Sequence, residues 1–225
     1  MVATETSPFR VLVMGGVETR FHHFDELGPA LARVLAQANP QPSVTSLLAA
    51  DALYPEVLRE FDALVSITTG GELSQAQEHA LLSAVAEPNN DRARPLHFLG
   101  VHGASCSFSN SSRYLNFLGG RFLRHPPMAT FRVEVDADHP VTSGVRPFDI
   151  HDELYILELL ADVRVLLSAV NPEPAPSTPR SPLGWVRQHG QGKVCYLAPG
   201  HGPEQLEHPS VARLIAQALA WFRAG

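Results

Sequence analysis

Apolar and polar positions in the first half of the chain alternate between short strand-like runs and segments with helical spacing. Short apolar runs that close on glycines, at 10–16 (RVLVMGG) and at 61–71 (FDALVSITTGG), are typical of buried parallel strands. Ser74, with Gln77 three residues later, forms a capping-box pattern that predicts a helix ending at about Ala86. The segment after the first run also repeats apolar residues at helical spacing, at Leu27, Leu31, Val34, Leu35 and Ala38. Strands that alternate with helices predict an α/β fold with a mostly parallel central sheet and helices on both faces.

The second half of the chain has shorter apolar runs. Alternation in TFRVEVDADHP (130–140) predicts a half-exposed strand, and the segment 182–200 predicts a hairpin that turns at HGQG. The segment 171–182 (NPEPAPSTPRSP) is rich in proline and predicts a surface loop. We interpret residues 1–225 as a single domain with a flexible start at 1–8.

Composition limits the classes of partner. The chain has 225 residues, a formal net charge of −6 and a pI near 6.0, so it lacks the basic character that nucleic-acid binding needs. Its two cysteines, Cys106 and Cys195, are too few for a disulfide framework, which favours a reducing compartment. The first residues lack the apolar run of a signal peptide, and no apolar stretch approaches the length of a membrane span. We therefore expect a cytoplasmic protein that binds a small molecule, with neither nucleic acid nor membrane as a partner.

Four glycine-bearing segments follow predicted strands. Ligands of α/β sheets bind beyond the carboxyl ends of the strands, so these segments are where a site is expected. They are GGVETRFHHFD at 15–25, TTGGELS at 68–74, GVHGAS at 100–105 and APGHGPE at 198–204. Three of the four contain histidine, whose imidazole serves as a metal ligand or as a general base.

The three candidate catalytic residues come from distant segments. His102 lies between the glycines of GVHGAS, and His201 lies in the PGHG turn. Glu153, in HDELY, would orient a histidine or ligate a metal, and the neighbouring Asp152 remains an alternative.

A divalent-metal site is the chemistry that these residue types favour. His22 and His23 are adjacent, so their side chains point in different directions, and we favour His23 as the one that faces the site. His23, His102, His201 and Glu153 would then form a site for zinc, manganese or iron.

A long ordered series of motifs carries a resemblance to a known family. Besides FHHFD, TTGGELS and LGVHGAS, the chain contains LGGRFLRHP, DADHPVTSGVRPFDIHDELY and WVRQHGQGKVCYLAPGHG, followed by a terminal AWF helix. From about Arg10 to Ala224 the sequence resembles the ThuA-like (trehalose utilisation) family. The resemblance implies a flavodoxin-like three-layer sandwich of the class I glutamine-amidotransferase-like superfamily, and a role in the metabolism of trehalose or a related keto-sugar.

The resemblance also gives positions to two of the histidines. His102 stands where amidotransferases carry their cysteine nucleophile, at a strand–turn–helix elbow, and His201 stands where they carry the histidine of their triad. Because imidazole is a poor acyl acceptor, we expect no glutaminase activity. Cys106, just past the elbow, is the alternative nucleophile.

For a sugar ligand the chain offers two kinds of contact. The loop at Gly70, Gly71 and Glu72 lies near a helix start, where backbone amides could hold an anion or a sugar oxygen. Tyr155 and Trp185 could stack on a sugar ring.

Two hypotheses of different class follow. In the first, the protein is an enzyme of hydrolase or lyase type that acts on a sugar derivative. In the second, it is a non-catalytic sugar-binding or regulatory module that kept the fold and lost the nucleophile. In either case we expect a homodimer, since cyclic dimers dominate soluble oligomers.

Overall fold

The computed structural model of the chain describes residues 8–16, 21–88, 94–175 and 178–224. The expected flexible start at 1–8 therefore lies almost wholly outside the described residues. The strands are β1 (Arg10–Gly15), β2 (Ser43–Leu48), β3 (Ala63–Ser66), β4 (His97–Val101), β5 (Gly120–Arg124), β6 (Ala129–Val135), β7 (Phe148–Asp152), β8 (Ile156–Leu159), β9 (Arg164–Ala175), β10 (Thr178–His189) and β11 (Gly192–Leu197). The helices are α1 (Phe24–Ala36), α2 (Ala49–Ala52), α3 (Pro55–Leu58), α4 (Gln75–Ala86), α5 (Ser112–Leu118), α6 (Pro203–Leu206) and α7 (Pro209–Arg223), with short 3₁₀ turns at His102–Cys106 and Pro140–Thr142.

The main sheet has nine strands in the order β2-β1-β3-β4-β11-β10-β9-β6-β7, and β5 pairs with β8 in a separate two-stranded sheet. The mixed α/β prediction is confirmed, but the prediction of a mostly parallel sheet is wrong. Strands β2, β1, β3, β4 and β11 pair in parallel, whereas every pairing from β11 to β7 is antiparallel. The reason is that β9, β10 and β11 follow one another without an intervening helix, and short connections join only antiparallel neighbours.

Helices occur where the chain crosses between parallel strands. The β1–α1–β2 and β3–α4–β4 connections run in opposite directions along the sheet, so right-handed crossovers place α1 and α4 on opposite faces. Helix α1 contacts α6 and α7, and α4 contacts α3 and α5. The change of direction falls between β1 and β3, which is the position where α/β sheets bind ligands.

The predicted start of α4 is confirmed in detail. Ser74 is its N-cap, and the hydroxyl accepts a hydrogen bond from the backbone N–H of Gln77 at 3.2 Å. The Gln77 side chain accepts in return from the backbone N–H of Ser74 at 3.1 Å. Such a cap satisfies two backbone donors that a helix start leaves free.

The prediction of a loop at 171–182 is wrong, because β9 continues to Ala175 and β10 begins at Thr178. Their ladder is irregular here: Thr178 pairs with Ala175, and the register then shifts before Arg180 pairs with Val170. Proline fixes an extended backbone and removes only its own N–H, so it is tolerated where pairing is irregular or at an edge. Among the described residues, no helix is both long enough and apolar enough to cross a membrane.

Candidate functional site

Four side chains from four distant segments converge at one edge of the main sheet. His22 follows β1, His102 follows β4, His201 follows β11 and Glu153 follows β7. One donor atom of each lies within 4.8 Å of the donor atoms of the other three. Parallel strands share a direction, which explains why the three histidines meet. We call these four residues the His/Glu cluster.

His102 begins the 3₁₀ turn after β4 with a left-handed backbone, at φ 44°. This conformation is uncommon for a residue with a Cβ, and it turns the side chain into the cluster. The next residue must be glycine, because a Cβ on Gly103 would lie 2.0 Å from Oγ1 of Thr69. The elbow is therefore built by close approach of two strand ends.

The hydrogen bonds of His102 fix its tautomer. Nδ1 lies 2.8 Å from the carbonyl oxygen of Ala198, which can only accept, so Nδ1 carries the proton. Nε2 points instead at Oε2 of Glu153, at 3.4 Å. Nε2 is buried and has no hydrogen-bond partner among the residues that the structure describes. A neutral imidazole would thus aim a lone pair at a carboxylate, an arrangement that a cation between them would relieve.

His22 joins the cluster from the other side. Its Nδ1 lies 2.7 Å from Oγ1 of Thr69, and its Nε2 lies 3.0 Å from Nδ1 of His201. Its backbone is also left-handed, at φ 57°. Burial, together with neighbouring His102 and His201, lowers the pKa of His22 to about 3. His22 is therefore neutral at physiological pH and offers a lone pair.

Glu153 is the ionised member of the cluster. Burial alone would raise the pKa of its carboxyl, but His102, His201 and His125 outweigh that effect and lower the pKa to about 2. Oε2 lies 3.2 Å from Nδ1 of His201, and Oε1 lies 3.6 Å from Nε2 of His125. The cluster thus combines one negative charge with imidazoles that face it.

Asp152 lies behind the cluster, so Glu153 and not Asp152 is the carboxylate that faces the histidines. It is fully buried. Its Oδ1 accepts from the backbone N–H of Glu153 at 2.7 Å, and its Oδ2 accepts from the backbone N–H of Gly200 at 2.8 Å. Burial raises the pKa of the Asp152 carboxyl. Glu153 faces the cluster, and Asp152 contacts the backbone that carries Glu153 and His201.

The cluster could hold a divalent metal ion. Three nitrogen donors and one carboxylate oxygen form a donor set that zinc, manganese or iron accepts. With bonds of about 2.0–2.1 Å, the donors around a tetrahedral ion lie about 3.3 Å apart. The donor separations of 3.0, 3.2 and 3.4 Å between His22 and His201, His201 and Glu153, and His102 and Glu153 are close to that value. A bond from Nδ1–H to a backbone carbonyl, as in His102, is the usual support of a metal-binding imidazole.

Three of the predicted site residues do not have the contacts that we predicted for them. His23 is exposed at the N-cap of α1, and His22 takes the place that we predicted for it, because the left-handed backbone turns His22 inward. Trp185 is fully buried, donates from Nε1 to the carbonyl oxygen of Leu118 at 2.8 Å, and so cannot stack on a sugar. Tyr155 is 2% exposed.

The ring of Tyr155 packs inside the protein instead. Its centroid lies 4.1 Å from that of His102 and 4.5 Å from that of Phe122. It therefore supports the His102 imidazole and offers no open face to a ligand.

The glycine loop after β3 lies beside the cluster through Thr69, which contacts His22. Gly70 and Gly71 both have left-handed backbones, at φ 70° and 74°. Glu72 is exposed and lines a cavity of about 260 Å³ with apolar walls that include Leu48. A larger cavity, of about 440 Å³, lies away from the cluster, between α3 and α4.

The cysteine alternative is disfavoured by its surroundings. Cys106 is mostly buried, and its thiol contacts the carbonyl oxygen of Gly103 at 3.2 Å. Burial raises the pKa of the Cys106 thiol to about 11, so the reactive thiolate is scarce at neutral pH. Cys195, which follows Val194 in β11, is fully buried.

Sequence reasoning missed the residues that support the cluster. Thr69, the carbonyl of Ala198 and the role of Asp152 depend on contacts between distant segments. His22 and His23 carry no difference in sequence that would reveal which backbone is left-handed. Only the position of Thr69, in a glycine-bearing strand tail, was a usable signal.

Comparison with known proteins identifies one family and several solved structures of similar fold. The family model for trehalose utilisation (ThuA) matches residues 10–222. The structure is similar to a ThuA-like protein from Bacteroides uniformis, with 20% identity, a TM-score of 0.72 and coverage of 100% of this chain and 98% of that one. It is also similar to a ThuA-like protein from Parabacteroides merdae, with 13% identity, a TM-score of 0.77 and coverage of 96% and 90%. A cytoplasmic protein from Salmonella typhimurium has 17% identity, a TM-score of 0.61 and coverage of 95% and 99%. Comparison with curated protein sequences gives no match.

Proposed function

Because the chain belongs to the trehalose utilisation (ThuA) family, we propose that it is a metal-dependent enzyme acting on trehalose-related keto-sugars, with its site at the His/Glu cluster. The proposal places the metal on His22, His102, His201 and Glu153, and takes zinc, manganese or iron as the candidate ions. In this proposal the protein has the flavodoxin-like sandwich fold of the amidotransferase-like superfamily but lacks the cysteine nucleophile.

One observation carries the proposal. Nε2 of His102 is buried, unpartnered among the described residues and directed at the Glu153 carboxylate, while Nδ1 donates to Ala198. Buried polar atoms are almost always hydrogen-bonded, so an unpaired nitrogen beside a carboxylate fits a site that holds a cation. A bound divalent cation would supply a Lewis acid that polarises a sugar carbonyl or activates water.

The protein's own groups would hold the metal and contact the substrate. Glu153 keeps its charge because the imidazoles around it favour the ionised form. The His201 side chain is 30% exposed, compared with 3% for His102, so it is the imidazole placed to meet a substrate entering from solvent. We therefore take His201 as the ligand nearest to an incoming substrate: Nδ1 would hold the metal and Nε2–H would donate a hydrogen bond to the substrate, with His102 and Glu153 as the buried part of the site.

The glycine loop would bind the rest of the substrate. Gly70 and Gly71 follow Thr69, which supports His22, so a sugar at the cluster would lie against this loop. Glu72, which lines a cavity of about 260 Å³, would accept hydrogen bonds from sugar hydroxyls. This volume is below the 300–1,000 Å³ or so of typical ligand pockets, so it suits one ring. The proposal also keeps a cytoplasmic location, supported by the similar Salmonella protein.

Metal analysis of the purified protein, followed by assay of keto derivatives of trehalose and glucose, tests the proposal. We expect stoichiometric metal, loss of turnover after chelation, and recovery after addition of zinc, manganese or iron(II). A protein that binds none of these ions would refute the proposal. A protein that binds metal and sugar but turns over no keto-sugar would instead be a non-catalytic sugar-binding or regulatory module.

A further inference from the structure

We propose, on the basis of the function proposed above, that Asp152 is a positioning residue that joins the two segments carrying Glu153 and His201. Its carboxylate accepts the backbone N–H of Glu153 at 2.7 Å with one oxygen and that of Gly200 at 2.8 Å with the other. Asp152 itself touches no donor atom of the His/Glu cluster in these hydrogen bonds, so it acts through the backbone of its neighbours.

The sheet topology explains why such a connection is needed. Glu153 follows β7 at one edge of the nine-stranded sheet, and His201 follows β11, with β10, β9 and β6 between the two strands. Within the part of the chain that the structure describes, no strand ladder pairs β7 with β11 directly. Other contacts between the two segments are the hydrogen bond from the Gln205 side chain to the carbonyl oxygen of His151, at 2.9 Å, and the stacked rings of Phe148 and His208. Donor atoms of a metal site need placement within about half an ångström, and the Asp152 hydrogen bonds act on the backbone next to both ligands.

The burial of Asp152 makes its two hydrogen bonds necessary for stability. The residue is fully buried, and a buried carboxylate is costly unless each oxygen finds donors. Asp152 finds one backbone donor on each ligand-bearing segment. A carboxylate is the side chain that accepts on both oxygens, whereas an amide of the same shape accepts on one and donates from the other.

The Asp152→Asn variant therefore separates shape from hydrogen bonding. Its amide nitrogen would face a backbone N–H, either of Glu153 or of Gly200, and push that segment away. Loss of such a partner of a metal ligand commonly weakens metal affinity by about 10–100-fold. Asp149→Asn is the matched control, because Asp149 lies on the same strand with its side chain 61% exposed and paired with Arg132.

The experiment measures zinc affinity of the full-length protein by competition with a chromophoric chelator, with urea unfolding as a check on the fold. We expect Asp152→Asn to lose about 10–100-fold in zinc affinity, and Asp149→Asn to match the natural protein. Equal zinc affinity in all three proteins would overturn the role of Asp152.

A second readout keeps this inference separate from the proposed function. In metal-free protein, Asp152→Asn should shift the imidazole nitrogen signals of His201 and leave those of the exposed His79 in place. If the natural protein binds no zinc, the proposed function fails and these signals alone decide about Asp152; an unshifted His201 then refutes it. Should the variant not fold, amide exchange in the natural protein decides: a protected Gly200 N–H supports the bridge, and a rapidly exchanging one overturns it.

Discussion

Nε2 of His22 lies 3.0 Å from Nδ1 of His201, although 179 residues separate the two in the chain. The contact forms because β1 and β11 run in the same direction and their outgoing segments share one edge of the sheet. It is directional as well, because the other nitrogen of His22 is held by Thr69 at 2.7 Å. The adjacent His23 is exposed at the start of α1 and takes no part.

This difference between adjacent histidines gives the first prediction. His22→Ala removes a donor of the proposed metal site, so metal affinity should fall by more than the ~100-fold that loss of a supporting partner can cause. His23→Ala is the matched control and should leave affinity unchanged. Chelator competition with zinc measures both, and an equal loss in the two variants would contradict the arrangement.

The candidate site was predictable as far as strand direction alone determines it. His102 and His201 lie at the ends of apolar runs, and parallel strands must bring such ends to one edge. The choice between His22 and His23 was not predictable, because it depends on a left-handed backbone at φ 57°, which is uncommon for residues other than glycine and which the sequence does not assign to either histidine. The burial of Trp185 was hidden for a similar reason, since an aromatic residue in a strand serves a core or a ligand equally well.

In the fold, too, local features were predictable from the sequence and long-range pairings were not. The helical periods and the Ser74 cap are local features, and the structure contains them. The antiparallel half of the sheet depends on how β9, β10 and β6 pair over long distances, which alternation in sequence does not specify. The prolines of 171–182 predict irregular backbone, yet a two-stranded ladder outweighs that preference.

A second prediction concerns cysteine chemistry. No ammonia should be released from glutamine, because the elbow carries His102 and because burial raises the pKa of the Cys106 thiol to about 11. Alkylation of Cys106 by iodoacetamide near pH 7.5 should be correspondingly slow. Glutamine-dependent ammonia release that disappears in Cys106→Ala would show instead that the protein is a cysteine hydrolase.

A third prediction tests the assignment of Trp185 to the core. Trp185→Phe removes the donor to the Leu118 carbonyl and leaves that buried oxygen unpaired. The cost should be about 1–3 kcal/mol in the free energy of unfolding, measured with urea. Sugar binding should not change in the folded variant. A loss of sugar binding without a loss of stability would return Trp185 to the substrate site.

Self-association is a fourth prediction. We expect a twofold homodimer, the commonest closed assembly of soluble proteins. Light scattering over a wide concentration range measures the mass directly. The monomer mass at every concentration would contradict it.

The fifth prediction is an acid-sensitive contribution of His97 to stability. The ring of His97 stacks on that of Phe222, with centroids 5.2 Å apart, and Nδ1 accepts the backbone N–H of Lys193 at 3.1 Å. Burial, and then the charge of Lys193, lower the pKa of His97 to about 4, while Asp62 and a backbone hydrogen bond to Phe222 act in the opposite direction. The folded protein therefore keeps His97 neutral at pH values where the unfolded chain, with an imidazole pKa of about 6.5, already binds a proton.

The sign follows from that difference in proton binding. The contribution of His97 is fully present above about pH 6.5 and is lost as the pH falls towards 4, where the folded state also takes up the proton. A difference of about 2.5 pKa units corresponds to about 3 kcal/mol at most. His97→Asn, which retains an acceptor but does not titrate, should therefore show a flatter decline in urea stability between pH 7.5 and 4.5. His79→Asn, at an exposed position on α4, should decline like the natural protein. Identical slopes for His97→Asn and the natural protein would show that His97 is protonated equally in both states.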